Sequence, residues 1–153
     1  MSRCYQLIGV PGSGKTTWTK SQDWIQGMEY VSTDRHVEAY AEQQGKTYSE
    51  VFNDYMPTAV ELMAAEVVAA RQAGRDIVWD QTSTTVKSRV RKFNMLPDYY
   101  HIAVVFESPS RLELKRRLAS RPGKEIPDAV IEGMLASFEM PSEAEGFKEI
   151  WRV

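Results

Sequence analysis

With 153 residues, 42% hydrophobic and 26% charged side chains and a formal net charge of −2, the chain suits one globular domain with a full core, and a disordered, fibrous or two-domain protein is excluded. Its longest apolar run, Ile102 to Phe106, is far short of the ~20 residues of a membrane helix, and Met1 to Gln6 lack the apolar stretch of a signal peptide. The single cysteine, Cys4, precludes an internal disulfide framework and suits a reducing compartment, so we expect one cytoplasmic domain over residues 1–153, off the membrane.

In chain order, apolar runs alternate with helical stretches. Residues 4–10 (CYQLIGV) predict a short buried strand that runs into a glycine-rich turn. A helix over 16–24 and a second strand over 29–32 follow. Residues 38–73 are helix-rich but broken near Gly45-Lys46-Thr47, with 48–51 opening the next helix. In that helix Val60, Met63, Val67 and Ala70 share one face, and Gly74 is a stop signal. Residues 76–80 predict a third strand, 84–96 a basic helix, 101–106 the fourth and most apolar strand, and 110–120 a helix broken by Arg121-Pro122-Gly123. Pro127 suits the first turn of a last helix ending near Phe138, and 147–153 an edge strand. Strands joined by helical crossovers specify an α/β fold, a parallel sheet with helices on both faces. Ligands of such sheets bind beyond the carboxyl ends of the strands.

Charge is segregated along the chain. Residues 1–86 carry 7 basic and 11 acidic side chains, residues 87–124 carry 10 and 3, and residues 125–153 carry 2 and 7. A basic middle suits either a solvated helical face or a polyanionic ligand.

Gly9-Val10-Pro11-Gly12-Ser13-Gly14-Lys15-Thr16 fits G-x-x-x-x-G-K-[ST] in full, between a predicted strand and a predicted helix. Glycines let the backbone wrap phosphate oxygens and present consecutive N–H groups, and the following helix start favours an anion. Gly12, Ser13, Gly14, Lys15, Thr16 and Thr17 are therefore the candidate nucleotide-phosphate residues, with Lys15 on the β- and γ-phosphates and the Thr16 hydroxyl on Mg²⁺. The second G-K-T string, Gly45-Lys46-Thr47, has no strand before it and reads as a helix–helix turn.

An N-K-x-D base-recognition signal is absent, and Asp80-Gln81 supplies one acidic residue at the strand end where a motor ATPase uses two. A compact kinase remains, using ATP and Mg²⁺. Asp34, directly after the second strand, is the candidate base for an acceptor hydroxyl; its competing role is a helix N-cap. Asp80 closes the third strand as a candidate Mg²⁺ carboxylate, against the competing role of cap to the next helix, and Gln81 and Thr82 lead into the acceptor side. Arg116, Arg117, Arg121 and Lys124 gather around Pro122-Gly123, a composition that suits a basic lid stabilising transferring phosphoryl charge.

Together, GVPGSGKTT at 9–17, VSTD at 31–34, GKTYSEVF at 45–52, IVWDQTS at 77–83 and the lid-to-tail run at 117–147 resemble the phage polynucleotide 5′-kinase family of P-loop kinases, neighbours of the zeta-toxin-like kinases. The resemblance implies a P-loop NTPase fold, with a parallel five-stranded sheet in the order 2-3-1-4-5 and a basic lid, and ATP- and Mg²⁺-dependent transfer to 5′-hydroxyl ends of DNA or RNA, as in nucleic acid repair. It implies catalytic roles for Lys15, Asp34 and Arg121, ATP contacts from Arg117 and Arg121, and Asp80 and Thr82 as the pair closing the third strand near the acceptor. The sequence itself points to no partner protein, and the resemblance implies a host-cytoplasmic location if phage-encoded. The family's acceptor-phosphate arginine falls at Val37, so Arg35 or Arg89 is expected to substitute. The alternatives are a zeta-like kinase of a small-molecule hydroxyl and a non-catalytic nucleotide-binding module.

Overall fold

Five strands form in the computed structural model, which describes residues 1–153: β1 (Arg3–Ile8), β2 (Glu29–Val31), β3 (Ile77–Asp80), β4 (Tyr100–Val105) and β5 (Glu149–Arg152). All pairings are parallel, as the alternating pattern predicts, and the order is β2-β3-β1-β4-β5, as the resemblance implies. Central β1 sets Cys4–Leu7 beside Ile77–Asp80 and Arg3–Ile8 beside Tyr100–Val105, so the carboxyl ends of β1, β3 and β4 finish at one rim. The connections carry α1 (Lys15–Ser21), α2 (Thr33–Gln44), α3 (Tyr48–Gln72), α4 (Val86–Met95), α5 (Arg111–Ala119) and α6 (Asp128–Ser137).

Successive strand residues point to opposite faces, and both faces are covered. On one, Cys4, Val31, Ile77 and Trp79 pack with Met63, Val67 and Ala70 of α3. On the other, Tyr5, Leu7, Val78, Ile102 and Val104 pack with Ile25 and Trp18. Full burial of each large side chain here is worth about 1.5–3 kcal/mol. No helix is long and apolar enough to cross a membrane.

Local chemistry explains the boundaries. Gly45, at φ 65°, ends α2, and Thr47 begins α3 through a capping box with Glu50, so the second G-K-T string is indeed a turn. α1 stops at Ser21, short of the predicted Trp24. The chain continues as a 3₁₀ turn over Asp23–Gly27, which turns Ile25 into the core and sets the Trp24 ring 5.0 Å from that of Tyr5, tilted by 55°. α2 starts earlier than expected, at Thr33, with Ser32 as its N-cap residue. Asp34 therefore lies in the first helical turn and is not the cap. Nor does Asp80 cap α4, whose N-cap is Thr85.

Candidate active site

At the strand rim the loop of residues 9–14 closes over the end of β1. Gly12 and Gly14 adopt φ of 82° and 101°, which a side chain would strain, and a Cβ on Gly9 would sit 2.6 Å from Ser13 Oγ. Gly9 N–H donates to the Thr82 carbonyl at 2.9 Å, tying the loop to the end of β3. Ser13 Oγ is buried without a partner. Lys15 Nζ donates to the carbonyls of Gly9 (2.8 Å) and Val10 (3.0 Å). Burial lowers its pKa to about 8, against the opposing fields of Asp80 and Asp34. A glycine cradle, an orphaned hydroxyl and a desolvated lysine fit a polyphosphate.

The loop opens into a cleft of about 1080 Å³, lined by Lys15, Thr16 and Thr17 and also by Asp34, Arg35, Asp80, Gln81, Thr82 and Arg121. Residues from the ends of β1, β2 and β3 and from the α5–α6 loop thus share one space. The Asp80 carboxylate accepts a hydrogen bond from the Tyr30 hydroxyl. Burial raises its pKa, opposed by the Tyr30 bond and by Lys15. Thr16 and Asp80 offer one hydroxyl and one carboxylate, and no cluster of three metal-ligating side chains exists. That donor set fits Mg²⁺, which keeps water and phosphate ligands, rather than a metal caged by protein.

Asp34 is held on both oxygens. Tyr48 donates its hydroxyl to Oδ1 at 2.6 Å, and Lys124 Nζ reaches Oδ2 at 3.1 Å and Glu38 at 3.2 Å. The Lys124 ammonium also lies 4.4 Å from the Tyr48 ring centroid. Burial and Asp34 push the Tyr48 hydroxyl's pKa up, so it stays a donor. The lid around Arg121–Pro127 is docked on the start of α3: Ser49 N–H donates to the Gly123 carbonyl (3.0 Å), and Glu125 N–H to Ser49 Oγ (2.7 Å).

The arginines divide. Arg121 lines the cleft without the Glu113 partner that holds Arg116 and Arg117. Arg117 braces the phosphate loop from behind, donating to the Gly12 carbonyl at 2.9 Å. Arg35 lines the cleft while paired with Glu66 at 2.7 Å. Arg89, expected on the acceptor, is absent from the cleft. It is fully buried, and its guanidinium is spent on Glu145 (2.8 Å) and on the carbonyls of Ser83 (2.8 Å) and Glu139 (3.0 Å). Of the ten basic residues of the 87–124 block, Arg111, Lys115, Arg116, Arg117 and Lys124 are in ion pairs, and Arg89 is buried.

Sequence reasoning missed Tyr30 and Tyr48, whose hydroxyls clamp the two carboxylates. The sequence marks Tyr48 only as a helix start, and nothing local reveals a partner on another element.

A family described as AAA domain matches residues 6–141. The chain belongs to that family. It is 26% identical, over 96% of its length, to the bifunctional polynucleotide phosphatase/kinase of Schizosaccharomyces pombe, spanning 32% of that protein. It is 42% identical to a shikimate kinase of Salinispora arenicola over 44% of the chain and 38% of that enzyme. It is 24% identical, over 94% of its length, to the mouse heterogeneous nuclear ribonucleoprotein U-like protein 2, spanning 20% of it. The chain thus spans between a fifth and two fifths of these curated relatives. Among solved structures, the Streptococcus pneumoniae PezAT toxin–antitoxin system gives a TM-score of 0.73 at 17% identity, covering 99% of this chain and 66% of that one. The Pnkp1/Rnl/Hen1 RNA repair complex gives 0.65 at 22% identity, covering 89% and 43%. These likenesses establish the P-loop kinase fold.

Proposed function

We propose that this domain transfers the γ-phosphoryl group of ATP, with Mg²⁺, to the 5′-hydroxyl end of DNA or RNA. The observation that carries the reading is the oriented Asp34 carboxylate lining the same cleft as Lys15, Thr16 and Arg121. Asp34 accepts the hydroxyl proton as the acceptor oxygen bonds to phosphorus and the bond to the β–γ bridging oxygen breaks, a role worth about 10²–10⁴ in rate. Tyr48 fixes the carboxylate through Oδ1, and the acceptor hydroxyl takes Lys124's place on Oδ2. Lys15 leaves its loop carbonyls for the phosphates, and Arg121 balances the charge that spreads over the transferring group. Mg²⁺ held by Thr16 and Asp80 would supply further neutralisation of the β- and γ-oxygens. Phe52, partly exposed in the cleft wall, offers a base a stacking surface.

A small-molecule hydroxyl is the second reading. It is favoured by the internal pairing of the basic block, which leaves few cations to follow a nucleic-acid backbone, and by the shikimate kinase relative. The test offers γ-labelled ATP together with 5′-hydroxyl DNA and RNA oligomers, shikimate and sugar acids. Label on an oligomer 5′ end supports the first reading, and the paired cations predict a shallow salt response of one or two neutralised phosphates, a log–log slope of about −0.7 for each. Label confined to the small acids would overturn it in favour of the second.

A further inference from the structure

Asp34, the base of the proposed reaction, stands open to solvent. Its side chain is 51% exposed, and it lines a cleft of about 1080 Å³, room for many waters beside the phosphate loop. A carboxylate that can take a proton from an acceptor hydroxyl can take one from water, and ATP is then hydrolysed with nothing phosphorylated. The shape of the cleft does not exclude water from this group. What stands on it is a lid residue: Lys124 Nζ lies 3.1 Å from Asp34 Oδ2, while the Tyr48 hydroxyl occupies Oδ1.

Lys124 is built into this position. Both of its chain neighbours are tied to the start of α3. Gly123 accepts from the Ser49 N–H at 3.0 Å, and Glu125 donates its N–H to Ser49 Oγ at 2.7 Å, so the backbone is fixed and the side chain alone can swing. That side chain is 15% exposed, more buried than either of its carboxylates. It has three anchors: Asp34, Glu38 Oε1 at 3.2 Å, and the face of Tyr48, with 4.4 Å to the ring centroid. Leaving Asp34 keeps two of the three, so the ammonium stays paired as it moves. Glu38 lies one turn along α2 from Asp34, and it also lines the cleft.

We propose that Lys124 is a specificity-determining cap on the base, one that yields Asp34 to an acceptor alcohol and denies it to water. The inference rests on the kinase reading and adds to it the choice between two nucleophiles. With ATP bound and no acceptor, both carboxylate oxygens already accept hydrogen bonds, and a lone water has no further contacts with which to displace an ammonium. An acceptor brings the binding energy of its other groups, which moves Lys124 across to Glu38 and lets the hydroxyl donate to Oδ2. In the reaction that the cap suppresses, the water oxygen bonds to the γ-phosphorus and one water proton passes to Asp34. The bond from that phosphorus to the β–γ bridging oxygen breaks, releasing ADP and inorganic phosphate.

The test needs no acceptor. Phosphate release from saturating ATP and Mg²⁺ is measured for the wild type, Lys124→Met, Asp34→Asn and the variant carrying both substitutions, with thermal melting as the check on folding. Lys124→Met should release phosphate about tenfold faster than the wild type, the worth of one charge-assisted contact. The double variant should lose that gain and fall to the Asp34→Asn rate. Release by Lys124→Met at or below the wild-type rate overturns the cap. So does a gain that survives in the double variant, because a loosened lid would speed hydrolysis without regard to Asp34. The exposed Glu38→Gln variant decides the matter if Lys124→Met does not fold. It removes the second anchor and keeps Lys124 on Asp34, so phosphate release should drop below the wild-type rate, and equal or faster release overturns the cap. The acceptor reading is judged apart from this: a hydrolysis gain in Lys124→Met, with no label transferred to oligomers, shikimate or sugar acids, removes the kinase reading and leaves Lys124 as the cap of an ATPase.

Discussion

Lys15 shows how one side chain couples fold to ligand. In the free loop it is desolvated against the Gly9 and Val10 carbonyls, with its pKa lowered to about 8. Polyphosphate favours the ammonium form, so binding raises that pKa again. Between about pH 8 and 9, ATP binding should therefore take up a substantial part of one proton, and affinity should fall as pH rises through this window. Calorimetric titration in buffers of different ionisation enthalpy measures the uptake; a heat independent of buffer would remove this account of Lys15. Arg89 is the opposite case, a charged side chain whose work is structural. Arg89→Ala would leave Glu145 without its partner and four bonds unmade, so we expect a loss of about 3–5 kcal/mol in stability, as for breaking a buried ion pair. Urea denaturation checks this; the variant, assayed below its unfolding range, should keep its acceptor KM.

At the scale of elements, the strand–loop–helix of residues 3–21 was legible because everything that shapes it is local: an apolar run, glycines at positive φ, then helix formers. The same holds for the turn between α2 and α3, where Gly45 and the Thr47–Glu50 box act within six residues. The lid was legible only as a break in a helix. Its docked position depends on Gly123, whose φ is 70° and whose Cβ would lie 2.8 Å from Thr47 Cβ. Gly123→Ala should undock the lid from α3, at a backbone cost of about 1–2 kcal/mol plus the clash. Hydrogen exchange at the Ser49 amide, which donates to the Gly123 carbonyl, should then accelerate, while amides of β1 and β4 stay protected. Unchanged Ser49 protection would mean that the lid holds by other contacts.

For the whole molecule, parallel pairing was readable because crossovers of this length force it, whereas the order β2-β3-β1-β4-β5 was legible only through the family resemblance, since alternation does not fix which strands are neighbours. What the alternation does not encode is contact between distant segments. Arg89 looked like part of a basic face until the C-terminal segment, 50 and 56 residues onward at Glu139 and Glu145, folded over it. Tyr48 likewise meets Asp34 only because α2 and α3 form a hairpin. Asp34 was legible as a candidate because a carboxylate after a strand end is a local signal, and the structure sets it in a cleft with the phosphate loop. The central claim is that this carboxylate handles the acceptor while the loop handles the nucleotide. The most direct measurement is Asp34→Asn assayed for ATP affinity and for phosphoryl transfer in the same preparation. Because asparagine preserves the shape and the Tyr48 contact, ATP affinity should stay within about twofold while kcat falls by about 10² or more. Transfer at the wild-type rate, or ATP affinity lost in step with it, would contradict the division of labour between the two halves of the cleft.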